Sequence, residues 1–262
     1  MRMGSLLEVK EVHKRFGAVE VLRGVSFALN GGTVLGLVGD NGAGKSTLMK
    51  LITGVHSVDS GEIWFNGQLL SSPRQTHSPA RARRFGIEMV YQDLALAKQQ
   101  DVAANIFLGR EPVRHFLGIL PIVDRGAMEI RAKSILDELG IRISISQLRA
   151  PVAWLSGGQQ QTIAIARALS FDPKLLILDE PTAALAVKET EHVLEVIREL
   201  RNRGIGIILI SHRLPDIFEV TDRILVLHQG KVAADLVTKN TSMAEVVAHI
   251  VGAGPLHKGG LV

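Results

Sequence analysis

The sequence predicts an α/β fold in which a parallel sheet carries a phosphate-binding loop and a helical segment is inserted into the middle of the chain. Three observations predict it. An apolar run at 33–38 leads into the glycine-rich stretch Gly39 to Thr47, and a helix pattern follows. Beyond residue 170, short apolar strands alternate with amphipathic helices. Between these parts, from Asp93 to Pro151, the pattern is helical.

Composition bounds the answer. At about 150 residues per domain, 262 residues make one large or two small domains. With 46% hydrophobic and 21% charged residues the chain can bury a full core, which excludes a disordered or collagen-like protein. It has no cysteine, so it is not a disulfide scaffold, and a reducing compartment suits it. No apolar run reaches the ~18 residues of a membrane span, and the first ten residues hold no apolar core of signal-peptide length. A soluble chain, not exported by that route, is expected. The pI is near 9.5, yet a net charge of +4 is a modest excess. The densest basic cluster, Arg81, Arg83 and Arg84, reads as a solvated helix face, and no nucleic-acid partner is expected.

Element by element, residues 19–29 read as a strand or a strand plus loop, and Asn30-Gly31-Gly32 as a turn. The run TVLGLV at 33–38 has the apolar continuity of a strand buried on both faces. Residues 62–65 and 68–70 flank Asn66-Gly67, which supplies the positive φ of a type I′ hairpin turn. The N-terminal part thus combines an antiparallel sheet with the start of a parallel one. In the middle, Met128, Ala132, Ile135, Leu136 and Leu139 form one helical stripe that Gly140 ends. Residues 93–155 are read as a helical subdomain inside a single domain of residues 1–252. Residues 175–178 and 205–210 are buried strands, and Val193, Ile197 and Leu200 mark a helix between them, closed by Gly204. A last helix opens on a capping box of Ser242 and Glu245 and carries Met243, Val246, Val247 and Ile250. The tail, 253–262, is expected to be flexible.

Chemistry concentrates in three stretches. Gly39, Asp40, Asn41, Gly42, Ala43, Gly44, Lys45, Ser46 and Thr47 satisfy the phosphate-loop pattern in its required setting, after a strand and opening a helix. Glycines let the backbone N–H groups curl toward phosphate oxygens, and the helix N-terminus adds partial positive charge. Lys45 would reach the β- and γ-phosphates, and the Ser46 hydroxyl would ligate Mg²⁺. In the second stretch, four apolar residues deliver Asp179 and Glu180 to a strand end, where ligands of parallel sheets bind. Asp179 suits a Mg²⁺ partner and Glu180 the polarisation of an attacking water. The third stretch, Leu155-Ser156-Gly157-Gly158-Gln159, starts a helix and forms a second anion-binding surface, which suggests that two copies share nucleotides.

Together these residues resemble the ATP-binding cassette (ABC) family of transport ATPases, whose signature residues 155–159 match throughout; the likeness runs from about Leu7 to Gly252. It implies a P-loop NTPase with a RecA-like parallel-sheet core, an N-terminal antiparallel β subdomain and an inserted helical subdomain. It also implies ATP and Mg²⁺ as cofactors. Phe16 falls at the family's adenine-stacking position, and Gln92 at the loop glutamine that touches Mg²⁺ and the attacking water. His212 falls at the switch histidine that contacts the γ-phosphate. Ser156, Gly158 and Gln159 would face the ATP of a second copy in a head-to-tail dimer. One departure stands out: Ala186 occupies the place of the family's usual aspartate six residues after Glu180, which puts coupling between the two sites in question.

Within the family, the stretches 91–95, 105–111 and 211–213 are most similar to single-cassette bacterial importers of monosaccharides of the ribose and fructose type. That implies transmembrane permease subunits as partners, a periplasmic sugar-binding protein behind them, and a place on the cytoplasmic face of the inner membrane. Three alternatives remain at this point: an ABC ATPase for another small solute, a soluble non-transport ABC ATPase, and a non-hydrolysing regulatory subunit. Against the soluble kind, the helical region of about 60 residues has no sustained heptads.

Overall fold

The computed structural model describes residues 5–116, 119–141 and 143–254. In chain order the elements begin with β1 (Leu7–Phe16), β2 (Val19–Leu29), β3 (Val34–Gly39), α1 (Lys45–Ile52), β4 (Ser60–Phe65), β5 (Gln68–Ser71), α2 (Pro79–Phe85) and β6 (Ile87–Val90). Next come α3 (Val102–Ile106), β7 (Val113–Phe116), β8 (Leu120–Val123), α4 (Arg125–Glu138), α5 (Ile145–Leu148) and α6 (Gly157–Leu169). The remainder is β9 (Leu175–Asp179), α7 (Val187–Asn202), β10 (Gly206–Ile210), α8 (Leu214–Val220), β11 (Arg223–His228), β12 (Lys231–Val237) and α9 (Met243–Ile250). The chain divides into two compact units, one of Met1–Met89, Lys174–Glu180 and Leu200–Val262, the other of Val90–Pro173 and Pro181–Glu199.

The first unit holds two sheets. One is antiparallel, in the order β2-β1-β4-β5; its β4–β5 hairpin turns on Asn66 (φ 49°) and Gly67 (φ 74°), as the sequence requires for a I′ turn. The other runs β12-β11-β3-β10-β9-β6, with β3, β9, β10 and β11 parallel and β12 antiparallel at one edge. Leu175 to Leu178 and Ile207 to Ile208 are wholly inaccessible, which is why these strands read as unbroken apolar runs instead of alternating ones. Each such side chain contributes about 1.5–3 kcal/mol by burial, so the central strands form a firm platform for the loops at their ends. This is a P-loop NTPase fold.

In the second unit, α6 is buried along most of its length through Ile163, Ala164, Ile165, Ala166 and Ala168, and α3 and α4 pack on it. The stripe on α4 buries Met128, Ala132 and Leu136 as expected, Ile135 stays half-buried, and Gly140 (φ 74°) ends the helix. The segment between α3 and α4 is not helical, however. Residues 113–116 and 120–123 pair as an antiparallel hairpin. Pro121 accounts for the difference: it lacks an N–H and its ring clashes with a helical turn, whereas a two-stranded ribbon leaves it an unpaired edge. Gly118, which the sequence places in the same run, lies outside the described residues.

The last helix also departs from expectation. Ser242 accepts the N–H of Glu245 at 3.2 Å, but the Glu245 carboxylate takes the Thr241 hydroxyl instead of closing a capping box. Of its apolar stripe only Val246 is fully buried; Met243 and Val247 are exposed, and His249 is buried in their stead. From the expected flexible tail, Ala253 and Gly254 donate to the Ala248 carbonyl, and residues 255–262 lie outside the described residues. Among the described residues no helix is long and apolar enough to cross a membrane.

Candidate active site

The sheet order explains how three distant stretches meet. β10 lies between β3 and β9, and its last residue, Ile210, pairs with Leu37 on one side and Asp179 on the other. The loop after β3, the carboxylates after β9 and the Ser211-His212 pair after β10 therefore leave one sheet edge together, the edge at which parallel α/β sheets bind ligands.

The Gly39–Thr47 loop is held by backbone bonds: the Ala43 N–H donates to the Asp40 carbonyl, and the Gly230 N–H donates to the Ala43 carbonyl. A Cβ on Gly39 would run into the carbonyl oxygen of Leu227, so only glycine fits there. The α1 N-terminus has no side-chain cap and no acidic residue in its first turn, which leaves its N–H groups to an anion. Lys45 folds back over the loop, its ammonium donating to the carbonyls of Gly39 (2.6 Å) and Asp40 (3.0 Å). Burial lowers the Lys45 pKa, and the nearby carboxylates of Glu180, Asp40 and Asp179 offset part of that effect. Burial also raises the pKa of Asp179, with Glu180 adding to it and Lys45 opposing it. These mutual influences bring Lys45, Asp179 and Glu180 into one electrostatic cluster.

Glu180 has a left-handed backbone, φ 51°. Such a conformation costs about 1–3 kcal/mol in a residue other than glycine, and here neighbours impose it. Its N–H donates to Ile210 O at 2.9 Å, and one carboxylate oxygen lies 2.7 Å from Nδ1 of His212. Phe16 ends β1 and is 44% exposed, with the ring edge of His56 at 5.2 Å between centroids and the Lys14 ammonium at 5.4 Å. It pairs with Val19 at the start of β2, and β2 passes the loop at Leu22, whose side chain sits against Gly44. His56 and Lys14 belong to no motif, so only the fold brings them to Phe16.

The donors available to a metal at this edge are the Ser46 hydroxyl, in the exposed first turn of α1, and the half-buried Asp179. Among the described residues no group of three or more His, Cys, Asp or Glu could hold a metal alone. So sparse a set fits Mg²⁺, which keeps water and takes phosphate oxygens, better than a cation needing an all-protein cage.

The second unit carries the other residues singled out by sequence. Gln92 is exposed in the loop after β6; Arg167 anchors that loop through the carbonyls of Leu94 (2.6 Å) and Ala95 (2.9 Å). Ser156 caps α6, and a reciprocal capping box joins it to Gln159: the Ser156 hydroxyl accepts the Gln159 N–H, and the Gln159 side chain accepts the Ser156 N–H. One residue absent from the sequence motifs meets this end of α6. The carboxylate of Glu189 accepts the Ala186 N–H at 3.3 Å and its side chain packs against Gly158; the Ser156 hydroxyl and the N–H groups of Ala186 and Gly158 hold its pKa below the ordinary glutamate value.

Residues 22–183 match the ABC transporter family. The chain is 43% identical over 244 residues, 93% of each protein, to the xylose/arabinose import ATP-binding protein XylG of Sulfolobus acidocaldarius. It is 44% identical over 257 residues to the fructose import ATP-binding protein FrcA of Rhizobium meliloti, covering 97% of this chain and 96% of the relative. Among solved structures it is similar to the ADP conformation of MJ1267, an ATP-binding cassette of an ABC transporter, with TM-score 0.80 and 30% identity over 95% of this chain and 99% of that one.

Proposed function

The chain belongs to the ABC transporter family, and on that footing we propose that it is the ATP-hydrolysing subunit that energises import of a monosaccharide through a separate membrane permease. The transport part is supported by near-full-length similarity to two import ATP-binding proteins. Their names specify different sugars, xylose/arabinose and fructose, which supports the monosaccharide class and leaves the choice of sugar to partner proteins.

The catalytic part is carried by one observation: Lys45, Asp179, Glu180 and His212 converge at one sheet edge. In this reading the N–H groups of residues 39–47 cradle the phosphates of ATP, and Lys45 exchanges its carbonyl partners for the β- and γ-phosphates. Phe16 stacks on the adenine. Ser46 and Asp179 would hold Mg²⁺, with Gln92 as a further contact, and the ion when bound neutralises charge on the β- and γ-oxygens. Glu180 polarises the attacking water, and His212 fixes the carboxylate in place and reaches toward the γ-phosphate. Such a site works by positioning and electrostatics, with little covalent chemistry for the protein to perform. Two copies close head to tail, so that Ser156, Gly158 and Gln159 of each meet the γ-phosphate bound to the other. Hydrolysis releases that clamp, which is the bistable motion a permease would feel. The subunit then sits peripherally on the cytoplasmic side of the membrane.

Affinity isolation of tagged Glu180→Gln protein from detergent-solubilised native membranes, with ATP present, tests the proposal. A polytopic permease recovered at equal copy number is the expected result. Recovery of soluble partners alone, ribosomes or DNA would overturn the transport reading and leave the ATPase standing.

A further inference from the structure

The end of α6 expected to receive a partner's γ-phosphate already has a carboxylate side chain of the same chain packed on it, that of Glu189. The Ser156 hydroxyl and the Gly158 N–H help hold the Glu189 pKa below the ordinary glutamate value, and the Gln159 side-chain oxygen accepts the Ser156 N–H. Contact is close along the whole side chain: a Cβ placed on Gly158 would lie 2.8, 2.9 and 3.0 Å from Cβ, Cγ and Cδ of Glu189. Glu189 is the third residue of α7, and from there its carboxylate reaches back to accept the N–H of Ala186, the residue before the helix, at 3.3 Å. That backward reach brings the carboxylate onto the end of α6.

We infer that Glu189 is an internal occupant of the signature end of α6, a carboxylate that a partner's γ-phosphate must displace before two copies can close on ATP. This rests on the ATP-sandwich reading above. The Glu189 side chain fills the space against Gly158, and two anions on one helix end repel each other, so the carboxylate and a phosphate compete for it. Space for the displaced side chain exists: a cleft of about 300 Å³ lined by Ser156, Gln159, Lys188, Glu189 and His192 opens beside the contact. Lys188 offers a cation within it, so the carboxylate can leave α6 without losing every favourable neighbour. Glu189 is thus a positioning residue that sets how much ATP is needed for closure, and it touches neither substrate nor the reacting atoms.

The test is the ATP concentration at which dimers form, read by sedimentation, in Glu180→Gln protein with and without Glu189→Gln. Glutamine keeps the shape of the side chain and a carbonyl for the Ala186 N–H but carries no charge. It is expected to lower the midpoint about tenfold, the effect of removing one charge-assisted pair. Glu189→Ala should lower it as well, while costing some thermal stability through the lost cap. Calorimetry on monomers should give the same ATP affinity for Glu180→Gln with and without the second change, because the Gly39–Thr47 loop is untouched. If Glu189 merely props the signature, both variants will raise the midpoint. An unchanged or raised midpoint in the glutamine variant overturns the inference. Failure of Glu180→Gln alone to dimerise with ATP overturns the sandwich reading itself, and the inference with it.

Discussion

Nδ1 of His212 lies 2.7 Å from a carboxylate oxygen of Glu180, and the His212 backbone N–H donates to the same oxygen at 3.3 Å. A carboxylate only accepts, so the contact places the ring proton on Nδ1 and turns Nε2 outward. His212 is 71% exposed at its side chain and Glu180 only 15%, so the histidine acts as the solvent-side clamp of a sheltered base. Glu180→Gln should cut ATP turnover by about 10²–10⁴ with nucleotide affinity kept. His212→Ala should also lose turnover, since the carboxylate then keeps only the longer backbone N–H contact. Steady-state phosphate release checks both. Equal turnover in wild type and Glu180→Gln would remove Glu180 from the mechanism.

Lys45→Ala removes an ammonium that is half-buried against the loop. Its loss should weaken ATP binding about 10- to 100-fold, the range for a hydrogen bond to a charged group. Isothermal calorimetry measures it directly, and an unaltered affinity would contradict the phosphate-loop assignment.

Phe16 is exposed at the end of its strand, so Phe16→Ala should lower the melting temperature by no more than about 2 °C while weakening ATP about 5- to 100-fold through lost stacking. Inorganic triphosphate, which has no base, should bind both proteins alike. Equal loss of triphosphate binding would point to a disturbed loop instead of a lost stack.

Asp179 supplies a pH signature. Its pKa is raised in the folded chain, chiefly by burial. The folded state therefore holds a proton that the unfolded state releases, and stability falls as pH rises from the ordinary carboxylate value through the raised one. At neutral pH the ionised carboxylate is a net cost, moderated by its partial exposure. Asp179→Asn should thus melt about 1–3 °C higher than wild type at pH 7, with the gap closing toward pH 4, while hydrolysis is lost. A lower melting temperature at pH 7 would show that the carboxylate is stabilised by something other than bound ligand.

His77 should make the protein acid-sensitive. Nε2 lies 2.8 Å from the Leu51 carbonyl, and Nδ1 is buried with no partner. Burial lowers its pKa below the ordinary histidine value, against a smaller opposing effect of that carbonyl. The unfolded chain then binds the proton that the folded one refuses. Stability is complete above about pH 6.5 and is lost below it, at up to about 1.4 kcal/mol per pH unit, until the folded pKa is reached. Urea midpoints from pH 7.5 to 5.5 should fall more steeply for wild type than for His77→Gln. Parallel curves would show that the ring is protonated in the fold.

What the sequence alone determined was whatever a few neighbouring residues can settle. Residues 33–47 specify strand, loop and helix, Asn66-Gly67 specifies its turn, Ser156 and Gln159 their capping box, and residues 175–180 a buried strand ending in two acids. Each depends on hydrogen bonds and burial within one or two turns of chain, so the pattern is local and legible. Tertiary structure decided the rest. His212 meets Glu180 across 32 residues only because β10 sits between β3 and β9, and no periodicity encodes strand order. The left-handed turn at Glu180 is imposed by those neighbours against its own preference. The hairpin at 113–123 was hidden because two four-residue strands are too short to show a period. Glu189 reads as an ordinary helix-opening acid, and only the packing of α7 against the start of α6 gives it Ser156 and Gly158 as partners. Contacts between segments are chosen by which surfaces can be buried together, and that choice is made by the whole fold.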